Sequence, residues 1–299
     1  MTKRKQFRLK LRSETLVLGE RTLIMGVLNV TPDSFSDGGK YHQPEIAVEH
    51  ALGLERAGAD VLDIGGESTR PGAEETSDSE ELDRLLPVLA GLRGRLKIPV
   101  SVDTRRSAVA ELAIRDGAQI INDVSGLRSD ARMAEVAAKQ GVPLILMHMR
   151  GEPRTMQRGP FARDVVREVA GGLRVSVAKA LKAGVRQSQI ILDPGIGFGK
   201  SHSQNYELIA KLSVFAELGY PLLVGTSRKG FLGATLARHG QPAPPEERMW
   251  GTAATVTASI LGGVHIVRVH DVVEMVQVAR VADGILNPRK APKSFPPSE

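Results

Sequence analysis

Cysteine is absent from the 299 residues, so the chain has no disulfide, no thiolate nucleophile and no thiolate metal site. Aromatic residues are scarce, at 4% with a single Trp, which leaves no interleaved stacking surface for single-stranded nucleic acid. No apolar run nears the roughly 18 uninterrupted residues of a membrane span, and the basic opening lacks the apolar stretch of a secretion signal. These absences set the expectation of a cytoplasmic protein with neither a membrane nor a nucleic-acid partner. The net charge of +6 does not change it. Lys3, Arg4, Lys5, Arg8, Lys10 and Arg12 precede the first acidic residue, Glu14, and by themselves equal the excess, so they read as a solvated basic arm.

What is present is a repeated unit. Short apolar runs at Leu23–Leu28, Val61–Ile64, Pro99–Val102, Gln119–Ile121, Pro143–Met147, Ile190–Leu192, Pro221–Val224 and Val264–Val269 predict eight strands. Amphipathic stretches lie between them, at Pro44–Ala57, Ser79–Leu92, Ser107–Arg115, Ala131–Lys139, Ala162–Lys182 and Gln204–Leu218. Gly58, Gly117, Gly141, Gly184 and Gly219 stand where helices should end in a left-handed residue. Eight strand–helix units predict an α/β protein of the (β/α)₈ barrel class. A doubly wound dinucleotide fold would want Gly-x-Gly-x-x-Gly after the first strand, where this chain has Asn29-Val30-Thr31-Pro32. Alternation over Phe7–Arg12 reads as a half-exposed strand, and Thr15–Leu18 with Arg21–Leu23 as a hairpin closing the barrel floor. The expected organisation is an arm and hairpin over 1–20, a barrel over 21–285 and a frayed tail over 286–299.

Nearly every run ends in polar chemistry. Asn29, Asp63, Asp103, Asn122 with Asp123, His148, Asp193, the Gly225–Gly230 segment and His270 all stand where a strand should stop, which places them at the C-terminal mouth of a barrel. Carboxylates beside carboxamides suit a flat heterocycle with adjacent donors and acceptors, and Asp193 is of the type to pair with a guanidine-like ring edge. Arg268 and His270, two apart on one strand face, suit a polyphosphate with Asn29 as a hard oxygen ligand for a divalent ion. Each residue alone has a plainer reading: Asp103 and Asp271 as helix caps, Arg228 and Lys229 as solvated cations, His148 as a structural histidine, Met147 and Phe198 as core. The run Gly195-x-Gly197-x-Gly199-Lys200 lacks the spacing of a phosphate-binding loop. Two long connections, Asn29–Tyr41 and Gly65–Ser79, read as lids that are mobile when the site is empty.

At these segments the chain resembles the dihydropteroate synthase family of the folate pathway. The resemblance runs from Ile24 to about Glu274. Its strings are Met25–Gly39 (MGVLNVTPDSFSDGG), Asp63–Gly72 (DIGGESTRPG), Ser101–Thr104, Ile121–Gly126, Met147–Met149 with Met156-Gln157, Leu192–Gly199 (LDPGIGFG), Gly225–Gly230 (GTSRKG) and Arg268–Asp271 (RVHD). It implies a homodimeric barrel that joins 6-hydroxymethyl-7,8-dihydropterin diphosphate to p-aminobenzoate with Mg²⁺. On this chain it places the pterin against Asp103, Asn122, Met147, Asp193, Phe198, Gly225 and Lys229. Diphosphate falls to Asn29, Thr69, Arg268 and His270, with Asn29 on the metal. The aminobenzoate pocket, where sulfonamides compete, falls to Phe35, Ser68, Thr69, Arg70, Pro71, Ser227 and Lys229. Asp37, Lys229, Arg268 and His270 carry the catalysis. One departure is Arg105-Arg106-Ser107, where relatives often carry Lys-Pro, at a position expected not to touch substrate. A corrinoid-linked methyltransferase domain would need neither diphosphate site nor lid, and a non-catalytic paralogue would have eroded the rim that is intact here.

Overall fold

The computed structural model describes residues 4–31, 43–67, 76–152, 155–156, 159 and 161–290. A two-stranded antiparallel sheet comes first, β1 (Phe7–Lys10) with β2 (Thr15–Leu18). Eight parallel strands follow: β3 (Leu23–Asn29), β4 (Val61–Gly65), β5 (Val100–Asp103), β6 (Ile120–Asp123), β7 (Leu144–Met147), β8 (Ile190–Asp193), β9 (Leu223–Val224) and β10 (Ile266–Val269). They run in the order β8-β7-β6-β5-β4-β3-β10-β9, and a parallel bridge from Leu192 to Leu222 closes the ring. The expected eight strands and the (β/α)₈ barrel are both present. Around it lie α1 (Gln43–Arg56), α2 (Asp78–Leu92), α3 (Ser107–Arg115), α4 (Arg132–Gln140), α5 (Val165–Lys182), α6 (His202–Ala210), α7 (Leu212–Ala216), α8 (Gly230–Thr235), α9 (Met249–Leu261) and α10 (Val272–Leu286). The helix read over Gln204–Leu218 is two pieces, broken where Lys211 leaves helical geometry at φ −110°. The five helix-ending glycines all have positive φ.

Each strand splits its side chains between two apolar bodies. Outward residues such as Ile24, Leu62, Val102, Ile121, Leu146, Leu192, Val224 and Val267 pack on the helices. Inward residues at the strand starts (Leu23, Met25, Val61, Ile120, Ile145, Ile191, Leu223, Ile266) form a separate cluster with Leu9, Leu11 and Leu18. The hairpin is therefore the barrel's floor. Its strands are Phe7–Lys10 and Thr15–Leu18, however, and not Thr15–Leu18 with Arg21–Leu23, because Leu23 already pairs into the barrel opposite Ile266.

The basic arm is not simply solvated. Arg4 is 7% exposed and donates to Asp283 at 2.7 Å, the same carboxylate that accepts from the backbone N–H and hydroxyl of Thr22 at 2.6 and 2.9 Å. Buried His265 accepts from Leu222 N–H through Nδ1 at 3.1 Å and meets the Lys5 carbonyl through Nε2 at 2.9 Å. This arrangement requires a neutral ring, and burial holds His265 down to about 4.

Side chains alternate along a strand, so two steps above each floor residue lies an inward residue at the mouth. Ile120 leads to Asn122, Ile145 to Met147, Ile191 to Asp193, Leu223 to Gly225, Ile266 to Arg268 and Val61 to Asp63. Asp123, one position off, belongs to the other face. Its carboxylate accepts from Ser125 N–H and hydroxyl at 2.8 and 2.6 Å and from Leu127 N–H at 2.7 Å, so it ties the turn after β6 and is no part of the mouth, contrary to the rim expected from sequence.

Candidate active site

Arg268 organises the mouth. Its Nε donates to Asp63 at 2.6 Å and its Nη2 to Asp103 at 2.8 Å, so one guanidinium spans carboxylates on two other strands. Asp63 is fully buried and also accepts from Asn122 Nδ2 at 3.1 Å, which turns the Asn122 carbonyl oxygen away from it. Asp103 neither caps a helix nor faces solvent. Burial pushes its carboxyl up, Arg268 pulls it down, and Asp63 pushes it up again. Anchored through two nitrogens, Arg268 keeps Nη1 for a ligand, since among the described residues it has no hydrogen-bond partner.

On the opposite side, register places Met147 beside Asp193. Asp193 is 6% exposed, and burial raises its carboxyl to about 6 against the Gly195 N–H, 2.7 Å from Oδ1, and the Lys229 charge. Met147 and Phe198 join Val124, Met149 and Met156 in a small apolar cluster separate from both main cores. The Lys229 ammonium lies 3.9 Å from the Phe198 ring centroid, a cation–π contact, and burial lowers it to about 8. A Cβ on Gly225 would meet Arg268 Cβ at 3.6 Å, ordinary contact, so the missing side chain leaves open width between β9 and β10. Asn29 ends β3, half-buried.

Ser227 and His270 act as a unit. The Ser227 hydroxyl accepts from the His270 backbone N–H at 3.2 Å and lies 2.9 Å from its Nδ1. In the tautomer whose Nδ1 accepts the Ser227 hydroxyl proton, the N–H lies on Nε2, where it can donate to an anion. Burial and the adjacent Arg268 lower His270 to about 3, so it donates as a neutral ring. The intervening Arg228 is far from solvated: it sits at φ +57°, donates through Nε to Asp271 at 3.1 Å, and is held by Thr252 on its N–H and Arg248 on its carbonyl. A left-handed arginine persists only where its surroundings impose it, and here they set the Gly225–Gly230 loop.

Sequence reasoning passed over two groups. Lys200 lies buried beneath the mouth, with three backbone carbonyls around its Nζ. Glu67, at the end of β4, pairs with both Arg105 and Arg106 at 3.0 Å, while Arg106 also reaches buried Glu81 at 2.8 Å and the Thr76 carbonyl. The Arg105-Arg106 departure thus clamps Glu67 and Thr76, the two residues that flank 68–75. His148 packs its ring against Gly172, where a Cβ would fall 2.5 Å away, and burial holds it down to about 3. Phe35, Asp37, Ser68, Thr69, Arg70 and Pro71, and with them most of both expected lids, lie outside the described residues.

A barrel mouth that gathers a buried carboxylate, a carboxamide, apolar side chains and two cations defines an enzyme for a flat, hydrogen-bonding, anionic substrate. The family described as pterin binding enzyme matches residues 25–270. Dihydropteroate synthase of Synechocystis is 48% identical over 267 residues, covering 89% of this chain and 91% of that protein. The Xanthomonas albilineans dihydropteroate synthase structure with 4-aminobenzoic acid aligns with a TM-score of 0.88 at 40% identity, over 96% of this chain and all of that one. The Yersinia pestis enzyme, solved with a sulfonamide drug, aligns at 0.85 and 41% identity, over 93% and 98%. This chain belongs to the pterin-binding enzyme family, among its dihydropteroate synthases.

Proposed function

We propose that the chain condenses 6-hydroxymethyl-7,8-dihydropterin diphosphate with p-aminobenzoate, giving 7,8-dihydropteroate and diphosphate, and that sulfonamides compete at its aminobenzoate pocket. The observation that carries this reading is the pairing of two subsites in one mouth: Asp193 and Asn122 with the Met147 and Phe198 cluster for a pterin, and Arg268 with His270 for a diphosphate. Asp193 Oδ2 accepts from the ring's N–H groups, the freed Asn122 oxygen and Asp103 complete the edge, and Lys229 and Phe198 cover a face. Arg268 Nη1 and His270 Nε2–H hold the diphosphate.

The pterin methylene C–O bond breaks and its electron pair leaves with diphosphate, while the electron-rich ring delocalises the methylene cation. The aniline nitrogen then forms the new C–N bond and gives up its proton to solvent. Such a path needs charge stabilisation more than a strong base, so it does not require the Ser227–His270 pair to act as nucleophile and base. Asp37 beside the cation, and Phe35, Ser68, Thr69, Arg70 and Pro71 with Ser227 around the aminobenzoate, complete the proposal.

Mg²⁺, a hard ion that takes oxygen ligands, fits the carboxamide oxygen of Asn29. Among the described residues no group of three or more His, Cys, Asp or Glu could hold a metal, and Asp63 and Asp103 are engaged by Arg268. Asn29 would be the oxygen ligand from the described residues, and substrate and water would supply others. When bound, the ion neutralises charge on the leaving diphosphate. A homodimer is proposed on the α9–α10 face, where Trp250 (76% exposed), Val281 (65%), Val273 (54%) and Ile285 (46%) leave an apolar surface. The cytoplasm is the proposed location; among the described residues no helix is long and apolar enough to cross a membrane.

The test is diphosphate release from the dihydropterin substrate with Mg²⁺, with and without p-aminobenzoate and with a sulfonamide added. Release that yields dihydropteroate and falls with the sulfonamide is expected; pterin binding without any release would make the chain a non-catalytic paralogue. A pH dependence follows too. Asp193, raised to about 6, must be ionised to accept from the ring, so kcat/KM for the pterin climbs through that pH. Lys200 and Lys229, lowered by burial to about 7 and 8, lose their charge on the other side, giving a bell centred near neutrality. A profile flat from about pH 5.5 to 9 would remove these groups from the rate-determining complex.

A further inference from the structure

The Gly-rich run that ends in Lys200 invites a phosphate-binding reading, and the structure gives it a different one. Lys200 is 2% exposed, the largest of the fully buried side chains. Its Nζ donates to the carbonyls of His148 at 2.8 Å, Pro194 at 3.1 Å and Gly195 at 2.8 Å. Three donors meet three acceptors. A neutral amine has only two N–H groups, so the full set requires the ammonium, and none of its protons is left for a ligand.

Those carbonyls belong to two different loops. His148 follows Met147 out of β7, whereas Pro194 and Gly195 follow Asp193 out of β8, and Phe198 lies between Gly195 and Lys200. The loops also touch directly: His148 N–H donates to the Asp193 carbonyl at 2.9 Å, and Arg150 N–H to the Phe198 carbonyl at 3.4 Å. Contact is so close at Gly195 (φ +67°) that a Cβ would fall 2.0 Å from the His148 carbonyl oxygen. That glycine in turn donates its N–H to Asp193 Oδ1. Where backbone carbonyls crowd this closely, their aligned negative ends repel, and a cation among them turns the repulsion into attraction.

We propose that Lys200 is a positioning residue for the pterin subsite: its buried ammonium pins the β7 and β8 loops together so that Met147, Asp193 and Phe198 hold one arrangement around the ring. The proposal rests on the pterin reading of this mouth. It assigns Lys200 no contact with substrate, and its effect belongs to the pterin and not to aminobenzoate.

The experiment compares wild type with Lys200→Met, which keeps the length without donors, and Lys200→Gln, which keeps two N–H donors. Calorimetry with 6-hydroxymethyl-7,8-dihydropterin diphosphate should show Kd raised at least about 10-fold in Lys200→Met, the loss of one or more charge-assisted bonds holding the subsite, and partly recovered in Lys200→Gln. KM for p-aminobenzoate should stay within about twofold. A folded Lys200→Met with wild-type pterin affinity overturns the proposal, as does an equal rise in both constants. Should neither variant fold, ¹⁵N-lysine NMR of the wild-type protein decides: one ammonium signal protected from solvent exchange, and more protected with pterin bound, is expected. A lysine spectrum with no protected ammonium overturns the proposal. Wild type that fails to bind the pterin would sink the function itself, a result separate from any of these.

Discussion

Asp193→Asn should weaken pterin binding by at least about 10²-fold and yet leave the protein at least as stable as wild type. The two effects have one origin. Asp193 is 6% exposed, and its carboxyl is raised to about 6 chiefly by burial, so at pH 8 the folded protein carries an ionised group in a place that disfavours it. A carboxyl whose folded value lies above its unfolded value contributes stability below the unfolded value and loses it as pH rises through the folded one. At pH 8 the wild type has therefore lost on the order of 2–3 kcal/mol that asparagine does not lose. Asparagine can keep its Oδ1 on the Gly195 N–H, which leaves Nδ2 where Oδ2 accepted from the ring. A donor then faces donors. Two charge-assisted bonds at about 1.5–3 kcal/mol each correspond to a pterin affinity lower by about 10²–10⁴-fold. Calorimetry of pterin binding and melting at pH 8 check both halves. Unchanged affinity would remove Asp193 from the site; lost affinity with a large drop in Tm would make it a folding residue instead.

The barrel was legible because its strands are buried on both faces, so each reads as a short apolar run that stops at a polar residue. The same property hid the parity. In Ile120-Ile121-Asn122-Asp123 nothing alternates, and only the floor contact of Ile120 decides that Asn122 faces the mouth while Asp123 ties a turn. Residues whose role depends on distant partners were not legible. Lys200 acquires its role from a carbonyl 52 positions away, and Arg4 from a carboxylate 279 positions away. Nothing near Arg105-Arg106 in sequence announces Glu67 and Glu81, so the pair, expected only not to touch substrate, gave no sign that it clamps the flanks of 68–75. Asp63 shows the intermediate case. Its place on the mouth followed from its strand end, but its work, aligning Arg268 and Asn122, follows only from geometry.

That geometry makes Arg268→Leu the most damaging single change at the mouth. It removes the diphosphate ligand and, with it, the one cation shared by Asp63 and Asp103, whose side chains are 0% and 11% exposed. Breaking a buried ion pair by deleting one partner costs about 3–5 kcal/mol, because the remaining charge stays buried without compensation. In a protein of this size that is a Tm lower by roughly 5–8 °C, alongside kcat/KM lower by at least about 10³-fold. Acid should separate the two losses. Without the guanidinium Asp103, already raised by burial, rises further, so the burden of its charge is greatest at pH 8 and shrinks on acidification, where protonation neutralises it. The Tm deficit therefore narrows on acidification while turnover stays lost. Adding Asp63→Asn should recover part of the deficit at pH 8, since it removes the more deeply buried of the two orphaned charges, and should recover no activity. If Arg268→Leu instead melts with wild type at pH 8, the carboxylates do not need the cation to stay folded, and the paired distances of 2.6 and 2.8 Å serve substrate alone.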